Sequence, residues 1–185
     1  MRVQGATVRA REAWVLARQG LEARKRYRAE ASPALRACLE TARDERGGWV
    51  DFSLFVEATV LADRMFGRGD LGLAWDLGRF AASYNLGMWK GLLMRRVSPT
   101  TVLSLAASMW SHHYDGGKLM TRAAGARGVH VTIVDFPTPH RAHCLSIGGW
   151  MLGTLELGPR RNILVREASC RALGAPSCEF DLGWD

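Results

Sequence analysis

The segment Lys118–Val134, KLMTRAAGARGVHVTIV, divides the chain into two parts of different character. Within it, Val129–Val134 is rich in β-branched residues, Lys118–Ala123 has the length of a second strand, and the glycines of Gly125–Gly128 mark a turn between them. The residues before this segment have the apolar spacing of helices, whereas those after it combine one helix with short apolar runs. The sequence therefore predicts a β-hairpin where a helical region gives way to a sheet.

Apolar residues at helical spacing predict five helices before this hairpin. They are Val8–Arg28, Pro33–Ala42, Leu54–Phe66, about Leu71–Met94 and a helix that starts at Ser98-Pro99. Asp51 or Ser53 is expected to cap the third of these helices. The segment Gly67–Gly72 fits the pattern G-x-G-x-x-G, but a dinucleotide site needs a strand before these glycines. We therefore interpret it as a turn between helices, in which Asp70 caps the next helix.

After the hairpin the sequence predicts one helix and a closing pair of strands. The helix runs from Thr138-Pro139 to about Leu157, and the strands are Asn162–Arg166 and Cys178–Leu182. This order is typical of an α+β fold in which N-terminal helices pack on a C-terminal antiparallel sheet. A length of 185 residues suits one domain, residues 1–185. Within it we distinguish a basic helical N-terminal segment, residues 1–48, from a core, residues 49–185, that ends in the C-terminal hairpin.

Composition excludes several classes of protein. Hydrophobic residues make up 48% of the chain and charged residues 23%, as in folded proteins rather than disordered ones. The best candidate for a membrane span, Ala142–Leu155, has only 14 uncharged residues, which is too short. Residues Met1–Gly5 lack the features of a secretory signal. We therefore expect a cytoplasmic protein without a membrane span.

Positive charge is concentrated near the start of the chain. The first 50 residues hold 11 Lys+Arg against 6 Asp+Glu, a difference of +5 out of the total of +7. The densest run, Arg24–Arg28, could contact nucleic acid, an acidic protein or an anionic membrane, although a solvated helix face is the simpler interpretation. Because no nucleic-acid-binding motif accompanies the run, we expect no nucleic-acid partner. Binding of a protein partner through the basic N-terminal helix is a remaining possibility.

Three of the four cysteines lie in the last 42 residues, together with an acidic residue. Thiolates with one carboxylate or imidazole satisfy the tetrahedral preference of zinc. The candidate metal ligands are Cys144, Glu167, Cys170 and Cys178, with His140 as an alternative to Glu167. The remaining cysteine, Cys38, lies alone on an apolar helix face and is expected to be buried. From spacing alone, three unrelated buried cysteines explain the pattern slightly better than a metal site does.

The residues around these cysteines resemble a known family. The segments Cys144–Trp150, CLSIGGW, and Leu164–Gly174, LVREASCRALG, with the closing Cys178-Glu179-Phe180 and Trp184, resemble the end of a 4-vinyl reductase domain. They are especially similar to the zinc-containing sensory domains of phenol-responsive bacterial activators, and the whole chain is similar in layout to an uncharacterised family of myxobacterial proteins. The resemblance implies the fold shared with TRAPP-type vesicle-tethering subunits, a homodimer and an apolar cavity. It also implies Zn²⁺ bound by Cys144, Glu167, Cys170 and Cys178, which as a closed four-ligand site would be structural.

With a structural metal site, function is expected in the cavity, and the 7 Trp, 6 Phe and 7 Met supply apolar material for its walls. Candidate ligand-binding residues are Trp89, Trp110, His112 and His113, although core packing and an exposed helix end are their simpler roles. No G-x-S-x-G, H-E-x-x-H or phosphate-loop motif indicates an enzyme. Haem is not expected, because C-x-x-C-H and the Tyr-x-Ser-x-Arg signature of haem-based nitric-oxide sensors are both absent. We predict a cytoplasmic sensory and signalling module that binds an apolar or aromatic small molecule; the alternative is a non-catalytic protein-interaction scaffold without a natural ligand.

Overall fold

The computed structural model describes residues 1–40, 48–94, 98, 101, 104, 107–108 and 110–185, with the side chains of the fourth helix described up to residue 84. The helices with described bounds are α1 Gly5–Glu30, α2 Pro33–Glu40, α3 Phe52–Phe66, α4 Leu73–Met94, α5 Trp110–His113 and α6 Arg141–Glu156. Most of the helix predicted from Ser98-Pro99 lies outside the described residues. The other predicted helices are confirmed, with ends that differ by a few residues.

In the described part of the chain, six strands form two antiparallel sheets. They are β1 Arg2–Gln4, β2 Trp49–Asp51, β3 Lys118–Ala123, β4 Gly128–Val134, β5 Leu164–Ser169 and β6 Cys178–Gly183. The larger sheet has the spatial order β3-β4-β6-β5, and β1 pairs with β2. The predicted hairpin and closing strand pair are therefore confirmed, and so is the α+β class with N-terminal helices and a C-terminal antiparallel sheet. The short pair β1–β2 was not predicted.

The pairing of β4 with β6 decides which residues face the interior. Val131 lies opposite Phe180 and Ile133 lies opposite Cys178, and all four side chains are buried. Because side chains alternate between the two faces of a strand, this register turns Cys178 toward the helices rather than toward the outer face. The sheet thus brings the C-terminal cysteine into the protein core.

Glycines allow α4 and α6 to pack in backbone contact. A Cβ atom at Gly149 would overlap the carbonyl oxygen of Trp75, and one at Gly153 would overlap that of Arg79. In the reverse direction, a Cβ atom at Gly78 would overlap the carbonyl oxygen of Ser146. The close contact explains why α6 carries glycines four residues apart despite their low helix propensity.

Helix α1 is broken at Gly20, which has φ 84° and ψ −179°. The break turns the second half of α1 back, so that Arg24 and Arg28 both form ion pairs with Glu12. Burial alone would raise the pKa of Glu12, but the hydrogen bonds from Arg28 and Arg24 outweigh it and hold that pKa below 4.5. The helix predicted from Val8 to Arg28 is confirmed apart from this break, which was not predicted from the sequence.

The turn between α3 and α4 contains the segment that fits G-x-G-x-x-G. The Asp63 carboxylate accepts hydrogen bonds from the N–H groups of Leu71 and Leu73, and Asp70 accepts one from Gly72. Helices lie on both sides of the turn, so the strand that a dinucleotide site requires is missing there. At the start of α3, Asp51 is the cap, since its carboxylate accepts from the N–H of Ser53 at 2.8 Å.

No described helix is both long enough and apolar enough to cross a membrane. The division into segment 1–48 and core 49–185 within a single domain stays a prediction.

Candidate ligand cavity and cysteine cluster

A partly open cavity of about 50 Å³ lies between the helices and the sheet. Its walls come from α1, α3, α4, α5, β3 and α6. The lining residues are Thr7, Arg11, Phe55, Gly78, Ala81, Trp110, His113, Tyr114, Leu119, Ser146, Ile147 and Trp150. Most of these side chains are apolar or aromatic, and the guanidinium of Arg11 is the strongest polar group among them.

Arg11 is buried, with 2% of its surface exposed. Its Nη1 donates to the carbonyl oxygen of Thr7 at 2.7 Å, its Nη2 to Ser146 Oγ at 2.5 Å and its Nε to Thr59 Oγ1 at 3.2 Å. The guanidinium carbon also lies 4.1 Å from the ring centroid of Phe55. The hydrogen-bond acceptors are neutral oxygens that come from three helices, so Arg11 connects α1, α3 and α6 across the cavity.

Burial lowers the pKa of Arg11 from 12.5 to about 10, because the charged form loses its hydration. The side chain remains a cation at neutral pH, since this pKa is still about three units higher. Within the described residues, no Asp or Glu forms an ion pair with Arg11, and the neighbouring Glu12 is held by Arg24 and Arg28. The cavity therefore contains a buried positive charge whose surrounding protein groups are neutral.

A second buried group, His143 on α6, lies in an aromatic cluster beside the cavity. Its ring stacks on Phe136 with centroids 4.3 Å apart and an interplanar angle of 9°. The edges and faces of four more aromatic rings surround it, those of Phe52, Phe55, Trp110 and Tyr114. Burial, and secondly the positive charge of Arg11, lower the pKa of His143 to about 3. His143 is therefore neutral at physiological pH, and its Nε2 has no hydrogen-bond partner among the described residues.

The structure separates the four residues that the sequence proposed for the ligand. Trp110 is buried, stacks on Tyr114 and donates from Nε1 to the carbonyl oxygen of Gly116. His113 lines the cavity, whereas His112 is exposed. The side chain of Trp89 lies outside the described residues. Sequence reasoning missed Arg11, because nothing in its local sequence distinguishes it from the other arginines of α1.

The three C-terminal cysteines meet at the junction of α6 and the sheet. The sulfur atoms of Cys144, Cys170 and Cys178 all lie within 4.8 Å of one another, and all three residues are buried. Cys144 Sγ lies 3.6 Å from Cys178 Sγ, and the N–H of Arg171 donates to Cys178 Sγ at 3.3 Å. The hydrogen bond from Cys144 lowers the pKa of Cys178 to about 6, and the same contact raises the pKa of Cys144. Of these two thiols, Cys178 is therefore the more acidic.

The proposed fourth ligands are engaged elsewhere. Glu167 accepts hydrogen bonds from Arg141 Nη1 at 2.6 and 2.5 Å to its two carboxylate oxygens. His140 caps α6, because its Nδ1 accepts from the N–H of Ala142 at 3.2 Å. Neither residue belongs to the group of described side chains that could share one metal ion. The set of Cys144, Glu167, Cys170 and Cys178 as metal ligands therefore stays a prediction.

Comparison with known proteins finds similarity at the level of structure. No protein-family model matches the chain, and no curated protein sequence matches it. A solved structure of an H-NOX protein from S. oneidensis in the Fe(II) ligation state superposes with a TM-score of 0.73 at 12% identity, over 98% of this chain and 96% of that one. The Fe(II) unliganded H-NOX protein from K. algicida gives a TM-score of 0.67 at 12% identity, with coverage of 98% and 96%.

A third solved structure concerns the modulation of heme redox potential through protein-induced porphyrin distortion. It superposes with a TM-score of 0.64 at 9% identity, over 97% of this chain and 99% of that one. At these identities the comparisons establish a shared fold. They correct two predictions. The assignment to the 4-vinyl reductase and TRAPP-type family is wrong, because the neighbours are H-NOX domains. The prediction of Zn²⁺ as the cofactor is also wrong, since the neighbouring structures are those of Fe(II) or heme proteins.

Proposed function

We propose that this chain is a sensory module that binds a small molecule in the cavity beside Arg11. The observation that carries the proposal is the cavity with a buried charge, in a fold shared with H-NOX domains, whose solved structures include Fe(II)NO and Fe(II)CO ligation states. A cleft or cavity with mostly apolar walls and a few convergent polar groups is the usual form of a ligand site. The volume of about 50 Å³ indicates a ligand smaller than the apolar or aromatic molecule expected from the sequence.

The haem of the structural neighbours does not fit the described residues of this chain. A ligand of drug size needs a pocket of roughly 300–1,000 Å³, several times the volume beside Arg11. A haem iron also needs an axial ligand, most commonly a histidine. The Nε2 of His143 has no partner within the described residues, but five aromatic rings with centroids 4.3–6.2 Å away enclose its ring. Within the described residues, the cavity volume and the surroundings of His143 therefore do not favour haem, and the proposed ligand is a smaller molecule.

The alternative function, a protein-interaction scaffold, depends on the basic N-terminal helix as a contact surface. Arg24 and Arg28 belong to that surface in the sequence, but both form ion pairs with Glu12 of the same chain. The charge available to a partner is correspondingly smaller, so this alternative has less support than a ligand cavity. The homodimer, the cytoplasmic location and the protein partner stay predictions.

Thermal unfolding of the purified protein with a panel of small molecules tests the proposed function. The panel contains gases, small uncharged organic molecules, small anions and haem, and haem binding is also followed by absorbance. We expect at least one small molecule to raise the melting temperature in wild type, since binding to the folded state stabilises it. Ala81→Leu, which places a larger side chain in the cavity wall, should abolish the rise.

The matched control is Val60→Leu, which enlarges a side chain on the exposed face of α3 and should keep the response. No stabilisation by any member of the panel, or stabilisation that Ala81→Leu leaves unchanged, would contradict the proposal.

A further inference from the structure

Burying a cation without an anionic partner is unfavourable. Taking a charged group out of water costs several kcal/mol in a protein, which is why buried charges are normally paired. Arg11 departs from this rule in the described part of the chain, where its three hydrogen bonds go to uncharged oxygens of Thr7, Thr59 and Ser146. Residues 85–109, which follow the cavity-lining part of α4, contain no Asp or Glu in their sequence.

The hydrogen-bonding capacity of the guanidinium is also incompletely used. A guanidinium has five N–H groups in a planar fork, and the described contacts occupy three of them. In the part of the chain that the structure describes, two N–H groups therefore have no acceptor. A planar fork of donors matches the two oxygens of a carboxylate or a similar oxyanion better than it matches a single neutral atom.

The cavity beside this charge has the size of a small oxyanion. One water molecule needs roughly 10–15 Å³ of such volume, so about 50 Å³ corresponds to about three to five non-hydrogen atoms. Formate, nitrate, bicarbonate and acetate have that size. The aromatic walls formed by Phe55, Trp110 and Trp150 limit the site to small ligands.

The other polar groups of the lining are suited to the same ligand. Ser146 accepts from Arg11 and carries a hydroxyl hydrogen that it can donate. Tyr114 also lines the cavity, and burial raises the pKa of Tyr114 to about 12, so its hydroxyl keeps its proton at neutral pH. No Asp or Glu occurs among the described lining residues to repel an anion.

We propose that the cavity beside Arg11 is a binding site for a small planar oxyanion, held by the guanidinium of Arg11 with Ser146 and Tyr114 as further donors. The inference rests on the proposed function and names the chemical class of its ligand. An anion that enters this site compensates the buried charge and connects α1, α3 and α6 more firmly, because Arg11 contacts all three helices. Binding of the anion would thereby change how firmly these three helices pack together.

Calorimetric titration and thermal unfolding with acetate and acetamide test this inference directly. The two molecules have nearly the same shape, and only acetate is charged. In wild type, acetate, formate or nitrate should bind with one ion per chain and raise the melting temperature in proportion to the logarithm of its concentration, whereas acetamide should have no effect. Arg11→Met should weaken anion binding at least tenfold and leave the ligand-free protein folded, because a buried unpaired cation is replaced by an apolar side chain of similar length.

Arg166→Met is the matched control, since Arg166 is an exposed arginine on β5 that pairs with Asp181 on the sheet. It should bind acetate as wild type does. If Arg11→Met fails to fold, Ala81→Leu, which keeps the charge and reduces the cavity, should lose acetate binding. Equal effects of acetate and acetamide, or unchanged acetate binding in Arg11→Met or in Ala81→Leu, overturn the inference. Binding of an uncharged ligand alone would overturn it and leave the proposed function intact, whereas no binding of either kind would overturn both.

Discussion

The carbonyl oxygen of Trp75 on α4 occupies the position that a side chain on Gly149 of α6 would take. Hydrogen at Cα is the only substituent that fits, because the obstructing atom belongs to a helix backbone and cannot rotate away. The same relationship holds between Gly153 and Arg79 one helical turn further along. The two helices that carry part of the cavity wall are therefore fixed to each other at the backbone level.

Gly149→Ala should destabilise the protein by about 3 kcal/mol, the upper part of the range for overpacking in a core. The added methyl group can be accommodated only if α4 and α6 move apart. Chemical denaturation measures the change in the free energy of unfolding. Gly183→Ala is the control, since a Cβ atom there would find ordinary contact at 3.8 Å from the carbonyl oxygen of Arg127. Equal stability of the two variants would show that the helices are not in backbone contact.

Gly20→Ala should destabilise the protein by about 2 kcal/mol, because the backbone at Gly20 has φ 84° and ψ −179°, a region that only glycine adopts without strain. Space is not the reason, since no atom lies within 4 Å of a Cβ built at this residue. Gly48→Ala provides the comparison: it has equally open surroundings and no positive φ, so it should be close to wild type. If urea denaturation gives the same free energy for both variants, the break in α1 is not real.

The sequence predicts the parts of this fold that depend on neighbouring residues. Alternation along Val129–Val134 and the turn at Gly125–Gly128 suffice to place the first hairpin, and Asp51 two residues before the N–H of Ser53 suffices for a helix cap. A strand of three residues, such as Arg2–Gln4, is too short to show a recognisable alternation of apolar and polar residues. Its pairing with Trp49–Asp51 depends on contacts between residues that are far apart in the sequence.

The candidate site depends almost entirely on such distant contacts. Arg11 becomes special only because Thr59 and Ser146, 48 and 135 residues away in sequence, bring their hydroxyl groups to it. His143 likewise becomes a buried neutral base through rings from α3, α5 and the loop before α6. The family assignment based on the cysteine segment was wrong because a motif of that length covers only the C-terminal part of the fold. It does not define the arrangement of the other helices and strands.

Arg141→Met should cost about 2 kcal/mol of stability. Its partner Glu167 is largely buried, with 15% of its side chain exposed, and would be left as an unpaired charge. The value is lower than for a fully buried pair because Arg141 is 29% exposed. Arg166→Met removes the ion pair between Arg166 and Asp181. Because these two side chains are 68% and 42% exposed, the loss of stability should be less than about 1 kcal/mol. A double variant, Arg141→Met with Glu167→Gln, should recover part of the loss; no recovery would contradict this assignment.

The stability of the protein should fall as the pH is lowered below 6.5, and His143 should account for part of that slope. Burial lowers the pKa of His143 from 6.5 to about 3 in the folded chain. Between these two values the unfolded chain binds a proton that the folded chain does not, so acid favours unfolding; above pH 6.5 both states are neutral and the effect vanishes. The slope from this group approaches about 1.4 kcal/mol per pH unit.

His143→Phe keeps an aromatic ring in the cluster and should flatten the dependence of the unfolding free energy between about pH 5 and about pH 7. Met151→Leu, a buried change on the same helix without a titrating group, should keep the wild-type slope. A wild-type slope in His143→Phe would mean that the imidazole is charged in the folded protein or exposed to water.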